Sequence, residues 1–404
     1  MSNTSYKEMS LAEAFWFQEG PGVRQWQFRD TGIKLLNVAN ILKEGGIDLT
    51  KTVRCLSKDE IESKYSHFLC DEGDLVIASS GISVDSDGFL RTRGSFIKEE
   101  HLPLCMNTST IRFKQKDGIS HLRYLKHWLQ SLEFRRQISK EVTGIAQKNF
   151  GPSHLKRVMI SLPPLSEQKR IADILDKADE IREKRKQSIA KLDDLLQSVF
   201  LDMFGEVLAS KDKLPLSSVC EINPSKNEVQ HLPLNTNVTF LGMSSLTETG
   251  EIQERKIRTI ESVKNSFTYF RENDVLFAKI TPCMENGKGA IARDLFNGVG
   301  FGSTEFHVLR PISSINSEWL HTFLSLPRIR KLAEGNMTGT AGQRRVPVQF
   351  FDRLKIAHPK RNRVTQYAAI YHGISQQKHK ARSQAVCLDN LFSSLQQKAF
   401  KGEL

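Results

Sequence analysis

Residues 163–205 read PPLSEQKRIADILDKADEIREKRKQSIAKLDDLLQSVFLDMFG, and residues 359–404 read PKRNRVTQYAAIYHGISQQKHKARSQAVCLDNLFSSLQQKAFKGEL. Placed 196 positions apart, they share Pro163 with Pro359, Ala172 with Ala368, Ile174 with Ile370, Leu192 and Asp193 with Leu388 and Asp389, Leu195 with Leu391, Ser198 with Ser394, and Phe204 with Phe400. Matches kept in order over so long a stretch identify an internal duplication. Upstream, Gln147, Leu155 and Ile160 align at the same shift with Gln343, Phe351 and Ile356, and EGDLVIAS (72–79) resembles ENDVLFAK (272–279) at a shift of 200. Each half is therefore a variable globular domain followed by one long helix: 1–160 and 161–205, then 206–358 and 359–404.

The helices are read from their period. Ile171, Ile174, Ala178, Ile181, Leu192, Leu195, Leu196 and Val199 follow steps of three and four, interrupted by Arg185 and Ser188; Tyr367, Ile370, Ile374, Ala381, Leu388, Leu391 and Leu395 do so in the second copy, interrupted by Gln377 and Gln384. A seam repeating at about 3.5 residues asks for a partner helix. Pro163, Pro164 and Pro359 bar helix from upstream, Ser166 is a possible N-cap, and Gly205 and Gly402 are the expected terminators. Leu165 to Phe204 would span roughly 60 Å at ~1.5 Å per residue. Two matched seams are most simply buried on each other, antiparallel, with one globular domain at each end and Arg185, Gln377 and Gln384 meeting as a polar layer that sets register.

Short apolar runs separated by turns fill the globular segments, among them 32–41, 73–79, 237–246, 273–280, 287–295 and 306–311, with helical stretches at 121–138 and 317–333. Strands first and a helix late predict an α+β domain in each half. The predicted fold is α+β, two recognition-type domains at opposite ends of an antiparallel, pseudo-two-fold pair of long coiled-coil helices.

The chain has 404 residues, 39% hydrophobic and 26% charged, so it can bury its cores without disulfides or metals. Its six cysteines lie far apart with no C-x-x-C pair, which reads as reduced thiols. The start MSNTSYKEMSLAEAF has no basic, apolar leader, and no stretch approaches the roughly 18 apolar residues of a membrane span, so a cytoplasmic location away from membranes is expected. A net charge of +12 makes a polyanion the first partner to consider.

The sharpest basic run is 341–363, AGQRRVPVQFFDRLKIAHPKRNR, with seven Lys or Arg against Asp352 alone. A charge run can be only a solvated face. Its interleaving with hydrogen-bonding side chains favours contacts to phosphates and base edges, with Gln343, Arg344 and Arg345 as candidates. Further candidates follow the shared strand: Ser79, Ser80, Arg91, Arg93, Gln147 and Lys148 in the first half, and Lys279, Thr281, Lys288 and Arg293 in the second. No P-loop, G-x-G-x-x-G, nucleophile elbow or H-E-x-x-H occurs. Pro282-Cys283 beside Glu285-Asn286 only superficially resembles a cytosine methyltransferase, since no cofactor-binding glycine motif precedes it. Neither a catalytic nor a metal-binding residue is assigned.

PPLSEQKRIADILDKADEI followed by KLDDLLQSVFLDMFG, and the C-terminal LFSSLQQKAFKGEL, resemble the helical regions of the DNA-specificity subunits of type I restriction–modification enzymes. VRQWQFRDTGIKLLNVANI and EGDLVIASSG resemble the opening of that family's target recognition domains. The second copy departs from the pattern, with Lys360-Arg361-Asn362-Arg363-Val364 where Leu-x-Glu-Gln is expected. The resemblance implies a non-catalytic subunit that reads a bipartite, asymmetric site in double-stranded DNA, one half per domain, with the helices as spacer. It implies as partners two methyltransferase subunits, which carry S-adenosylmethionine, and motor-nuclease subunits, which carry ATP and Mg; this chain would bind no cofactor. The alternative is a coiled-coil adaptor between proteins without sequence-specific DNA binding.

Overall fold

The computed structural model describes residues 6–42, 45–51, 54–81, 84, 88–142, 149–312, 314–340, 342–356 and 359–404. The chain divides into two compact units, residues 1–184 with 385–404, and residues 185–384.

In the first unit, β1 (Lys7–Ser10), β2 (Phe15–Glu19), β3 (Ile33–Leu36), β4 (Cys55–Leu56), β5 (Leu75–Ala78), β6 (Gly94–Phe96), β7 (Leu104–Met106) and β8 (Thr110–Gln115) precede α1 (Leu122–Trp128), α2 (Leu132–Glu141) and β9 (Met159–Leu162). The main sheet runs β2-β8-β5-β6, a smaller one runs β4-β3-β7 with β3 parallel to β7, and β1 pairs with β9. Every side chain of β5 is buried, which explains why it reads as an unbroken apolar run. A long helix follows, α3 (Leu165–Ala209).

The second unit repeats this plan. It holds β10 (Leu214–Pro215), β11 (Cys220–Ile222), β12 (Asn237–Leu241), β13 (Lys256–Thr259), β14 (Thr268–Arg271), β15 (Val275–Ala278), β16 (Gly289–Ile291), β17 (Val299–Gly302) and β18 (Phe306–Pro311), then α4 (Ser317–Ser325), α5 (Pro327–Gly335) and β19 (Lys355–Ile356). Its main sheet runs β11-β18-β15-β16, and the other runs β13-β12-β17-β14 with β12 parallel to β17. The shared turn before the central strand is left-handed in both copies, at Gly73 (φ +82°) and Asn273 (φ +69°), and glycine and asparagine are the residues that tolerate it. Asp74 and Asp274 close these turns by accepting from the backbone N–H of Asp71 and Arg271. Both carboxylates also pair with a buried arginine, Arg112 and Arg310. The chain is thus α+β.

The second long helix, α6, spans Arg361–Lys401 and ends before Gly402, whose φ of +74° suits a C-terminal glycine. Gly205 does not end α3, contrary to the sequence expectation. The helix runs on for four residues because Leu208 beyond it is buried with Phe204 in the second unit's core. Ser166 lies inside the first turn rather than at an N-cap.

Within each unit, segments of α3 and α6 pack antiparallel. In the first, Arg170 reaches the Leu404 carbonyl and Arg182 binds Asp389. In the second, Asp193 pairs with Lys378, and Arg363 donates to the Met203 carbonyl. Ile171, Tyr367 and Ile374 of the expected seam are buried, and Ile174, Ala178, Leu192, Val199, Leu388 and Leu395 are half-buried. Ile181, Leu195, Ile370 and Leu391 are instead exposed. The apolar stripe is wider than two helices can cover; Ala381 of the expected seam is buried, and contact shifts to Leu175, Phe200, Tyr371 and Phe392.

The expected polar layer is also corrected, since Gln377 and Gln384 are exposed and Arg185 is half-buried. Polar contact comes from two ion pairs at duplicated positions, Arg182 with Asp389 and Lys378 with Asp193. They differ in burial: Lys378 is 4% exposed, whereas Arg182 keeps Asp179 as a second, partly solvated partner. Asp193→Asn is therefore expected to cost about 1–3 kcal/mol, because a buried ammonium loses a counter-charge and retains only Glu251. Asp389→Asn should cost under about 1 kcal/mol. Urea unfolding of both variants checks the order, and equal costs would refute the burial argument.

Candidate nucleic-acid interface

In the second unit the candidate residues gather where β15 ends. Past Ala278 the chain pairs with 338–346: Thr281 N donates to the Arg344 carbonyl at 3.0 Å, Val346 N to the Lys279 carbonyl at 2.9 Å, and Arg345 bridges both Ile280 and Thr338. Lys288 returns to the same place, its N–H on the Cys283 carbonyl at 2.9 Å and its carbonyl accepting from Ala278. Lys279, Thr281, Lys288, Gln343, Arg344 and Arg345 thus form one loop cluster, although more than 60 positions separate its ends.

Their side chains are not equivalent. Glu305 binds Arg345 through Nε at 3.0 Å and Nη2 at 2.9 Å, and this contact holds the guanidinium pKa above its ordinary value. Arg344 donates to the Glu334 carbonyl, and the Thr281 hydroxyl to Glu285 Oε1 at 2.8 Å. Among the described residues, no side-chain hydrogen bond or ion pair engages Lys279, Lys288 or Gln343, and Gln343 is exposed. These three can offer two positive charges and an amide to a ligand without breaking an existing contact. Arg293 does not join them: it is ion-paired with Glu318 and lies 3.3 Å from His372 Nδ1.

In the first unit, Ser79 is buried, with its N–H on the Ser109 carbonyl and its own carbonyl accepting from Phe150. Its hydroxyl faces the Thr108 carbonyl at 3.5 Å, so it braces the loop and is unavailable as a surface donor. Ser80 is half-buried, Arg91 is exposed, and Arg93 is half-buried and directed to the Ile41 carbonyl at 3.4 Å. Gln147 and Lys148 lie outside the described residues. The structure adds Asn149, which accepts from Gly81 N at 3.3 Å and so borders the same loop. Only its closeness in sequence to Gln147 could have suggested it.

Gln168 explains the PPLSEQ motif. It is fully buried, donating to the carbonyls of Pro163 at 2.9 Å and Ile119 at 2.8 Å and accepting from His121 N at 2.9 Å. The start of α3 is thereby locked onto the turn before α1. In the second copy Val364 takes this place as a buried apolar contact, so the helix start packs there without that lock. His127 and Arg123 then fasten α1 to Asp176 of α3. Burial alone would raise the Asp176 pKa, but these two hydrogen bonds overcome it and hold the carboxyl at about 2.

Among the described residues no group of three or more His, Cys, Asp or Glu could hold a metal, and no helix is long and apolar enough to cross a membrane. Cys55, Cys70, Cys105 and Cys220 are buried free thiols, and burial pushes Cys70, Cys105 and Cys220 up to about 12.

Residues 30–192 match the family described as Type I restriction modification DNA specificity domain. The chain is 36% identical over 148 residues to the type I restriction enzyme EcoEI specificity subunit of Escherichia coli, and 39% identical over 146 residues to the EcoAI specificity subunit; each match covers 36% of this chain. These matches span about a quarter (24%) of the length of those relatives. A longer match, 24% identical, covers 91% of this chain and 81% of the EcoKI specificity subunit of Escherichia coli K12. Two solved structures share the fold. One, from work on assembly and conformational transition of a type I R-M system, has a TM-score of 0.53 at 16% identity and covers 99% of this chain and 98% of its own. The other, a type I restriction-modification S subunit from M. genitalium, has a TM-score of 0.50 at 12% identity and covers 99% of this chain and 97% of its own. Residues 30–192 are thus similar to the specificity domain of type I restriction–modification enzymes.

Proposed function

We propose that this chain is a non-catalytic DNA-specificity subunit in which each unit reads one half of a split, asymmetric target in double-stranded DNA. The observation that carries this reading is the cluster of Lys279, Lys288 and Gln343 at the end of the duplicated central strand, where backbone pairing brings two uncommitted cations and an amide into one loop cluster. Lysines of that kind suit phosphates, and glutamine suits the paired acceptor and donor of adenine. Methyltransferase subunits carrying S-adenosylmethionine and motor-nuclease subunits carrying ATP and Mg would complete the complex, with no cofactor on this chain. Docking of partners on the helices is supported by the exposed Ile181, Leu195, Ile370 and Leu391, apolar side chains that a third helix would cover.

The test is selection from random-sequence duplex by the chain co-expressed with its methyltransferase partner, followed by methylome sequencing of the host. Recovery of a bipartite motif supports the proposal, and retention without sequence preference favours a protein adaptor. Lys279→Ala with Lys288→Ala is expected to weaken binding alike on all sequences and to reduce the salt slope by about 2, one unit per lost phosphate contact. An unchanged slope removes these lysines from the interface.

A further inference from the structure

The second helix of each helical pair carries an arginine at a matched position, the fourth residue of α2 and of α5: Arg135 and Arg330. Arg330 is buried, with its guanidinium carbon 4.2 Å from the centre of the Phe277 ring. Its Nη1 donates to the Met284 carbonyl at 3.3 Å and its Nη2 to the Gly287 carbonyl at 3.2 Å, while Nε has no partner. Among the described residues no carboxylate pairs with it. A Cβ at Gly289 would come within 3.3 Å of Nη2, so glycine at the start of β16 leaves room for the guanidinium. Burial lowers its pKa to about 10, in keeping with a cation that lacks a counter-charge.

An uncompensated buried cation is costly and leaves its site readily unless other groups satisfy its donors. Here Nη1 and Nη2 are met by the backbone of one segment, the loop 279–288 that joins central strand β15 to edge strand β16 and bears Lys279 and Lys288. In the first unit the matched Arg135 is half-buried and also reaches the backbone of the segment after β5. Arg135 Nε donates to the Leu90 carbonyl at 3.1 Å, and Ser139, one turn further along α2, accepts from Leu90 N at 3.1 Å, in the connection from β5 to β6.

We propose that Arg330 and Arg135 are positioning residues that hold the loop leaving the central strand of each unit, at Met284 and Gly287 in the second and at Leu90 in the first, and so set which side chains that loop presents to DNA. The second clause rests on the proposed function; the first does not. The experiment is hydrogen exchange on the full chain, with binding to selected duplexes measured in parallel. In Arg330→Met, protection of the amides of Met284, Gly287 and Lys288 should fall at least about tenfold while β15 keeps its protection. Arg330→Lys, which retains the charge and one donor group, should lie between. Discrimination at one half-site alone should fall, with Arg135→Met affecting the other. Unchanged loop protection, or equal loss in loop and strand in both Met variants, overturns the proposal, and altered loop protection with intact discrimination overturns its second clause. A wild-type chain that binds no DNA while the loop responds as described rejects the DNA reading and leaves the positioning role standing.

Discussion

Asp274→Ala is expected to destabilise the second unit by about 3–5 kcal/mol, the cost of leaving a buried charge without its partner. Asp274 is 1% exposed and takes Arg310 in a two-pronged pair, Nε to Oδ1 at 2.7 Å and Nη2 to Oδ2 at 2.8 Å. The same carboxylate closes the turn into β15, so its loss also frees the N–H of Arg271. Glu228 remains on Arg310 Nη1 at 2.8 Å, but it is partly exposed and cannot replace the second prong. The matched substitution Asp74→Ala should cost less. Arg112 pairs with Asp74 at 3.3 Å and spreads its other donors over the carbonyls of His67 and Leu69 and the side chain of Gln18. Urea unfolding followed by circular dichroism, with limited proteolysis to show which unit opens first, gives both numbers. A loss below about 1 kcal/mol for Asp274→Ala would mean that water reaches Arg310.

Acid should weaken the second unit well above the carboxylate range. His321 is buried, its Nε2 has no partner, and the Tyr371 hydroxyl stands 3.5 Å from Nδ1. Burial first, then the positive charges of Arg330, Lys378 and Arg293, depress its pKa to about 3. In the unfolded chain a histidine titrates near 6.5. Below that pH the unfolded state binds a proton that the folded state refuses. Stability contributed by neutral His321 is therefore complete above about pH 6.5 and declines by up to about 1.4 kcal/mol per pH unit until about pH 3. From pH 7 to pH 5 this amounts to about 2 kcal/mol. His307, also depressed by burial, acts with the same sign, so His321→Asn should reduce the slope without abolishing it. Unfolding free energies of the wild type and the variant at pH 7, 6 and 5 decide the matter; parallel curves would show that His321 already has access to solvent.

Repeats and periodicity are local, and they made much of the fold legible. The shared Asp193 and Asp389 were visible in the aligned stretches, and both prove to be ion-pair partners on the helices. EGDLVIAS and ENDVLFAK were visible as one strand written twice, and they are the central strands of sheets with the same order. The candidate site was legible in part. Lys279, Thr281, Lys288 and residues 343–345 do converge, but Arg345 is committed to Glu305, Arg293 to Glu318, and Ser79 to the interior. A basic residue declares its charge in sequence and not its counter-charge, which lies 40 positions away for Arg345 and 25 for Arg293. Arg330 escaped notice for a related reason: its partners are backbone carbonyls, which every residue has.

The order of residues alone thus determined that the chain is a duplication of an α+β unit with a long helix, because both strand and helix advertise themselves through spacing along the chain. Only the tertiary structure decided which face of each helix is covered, which turn Gln168 locks, and which cations remain uncommitted. Those outcomes depend on burial and pairing between residues brought together from distant parts of each unit, and no local pattern carries that information.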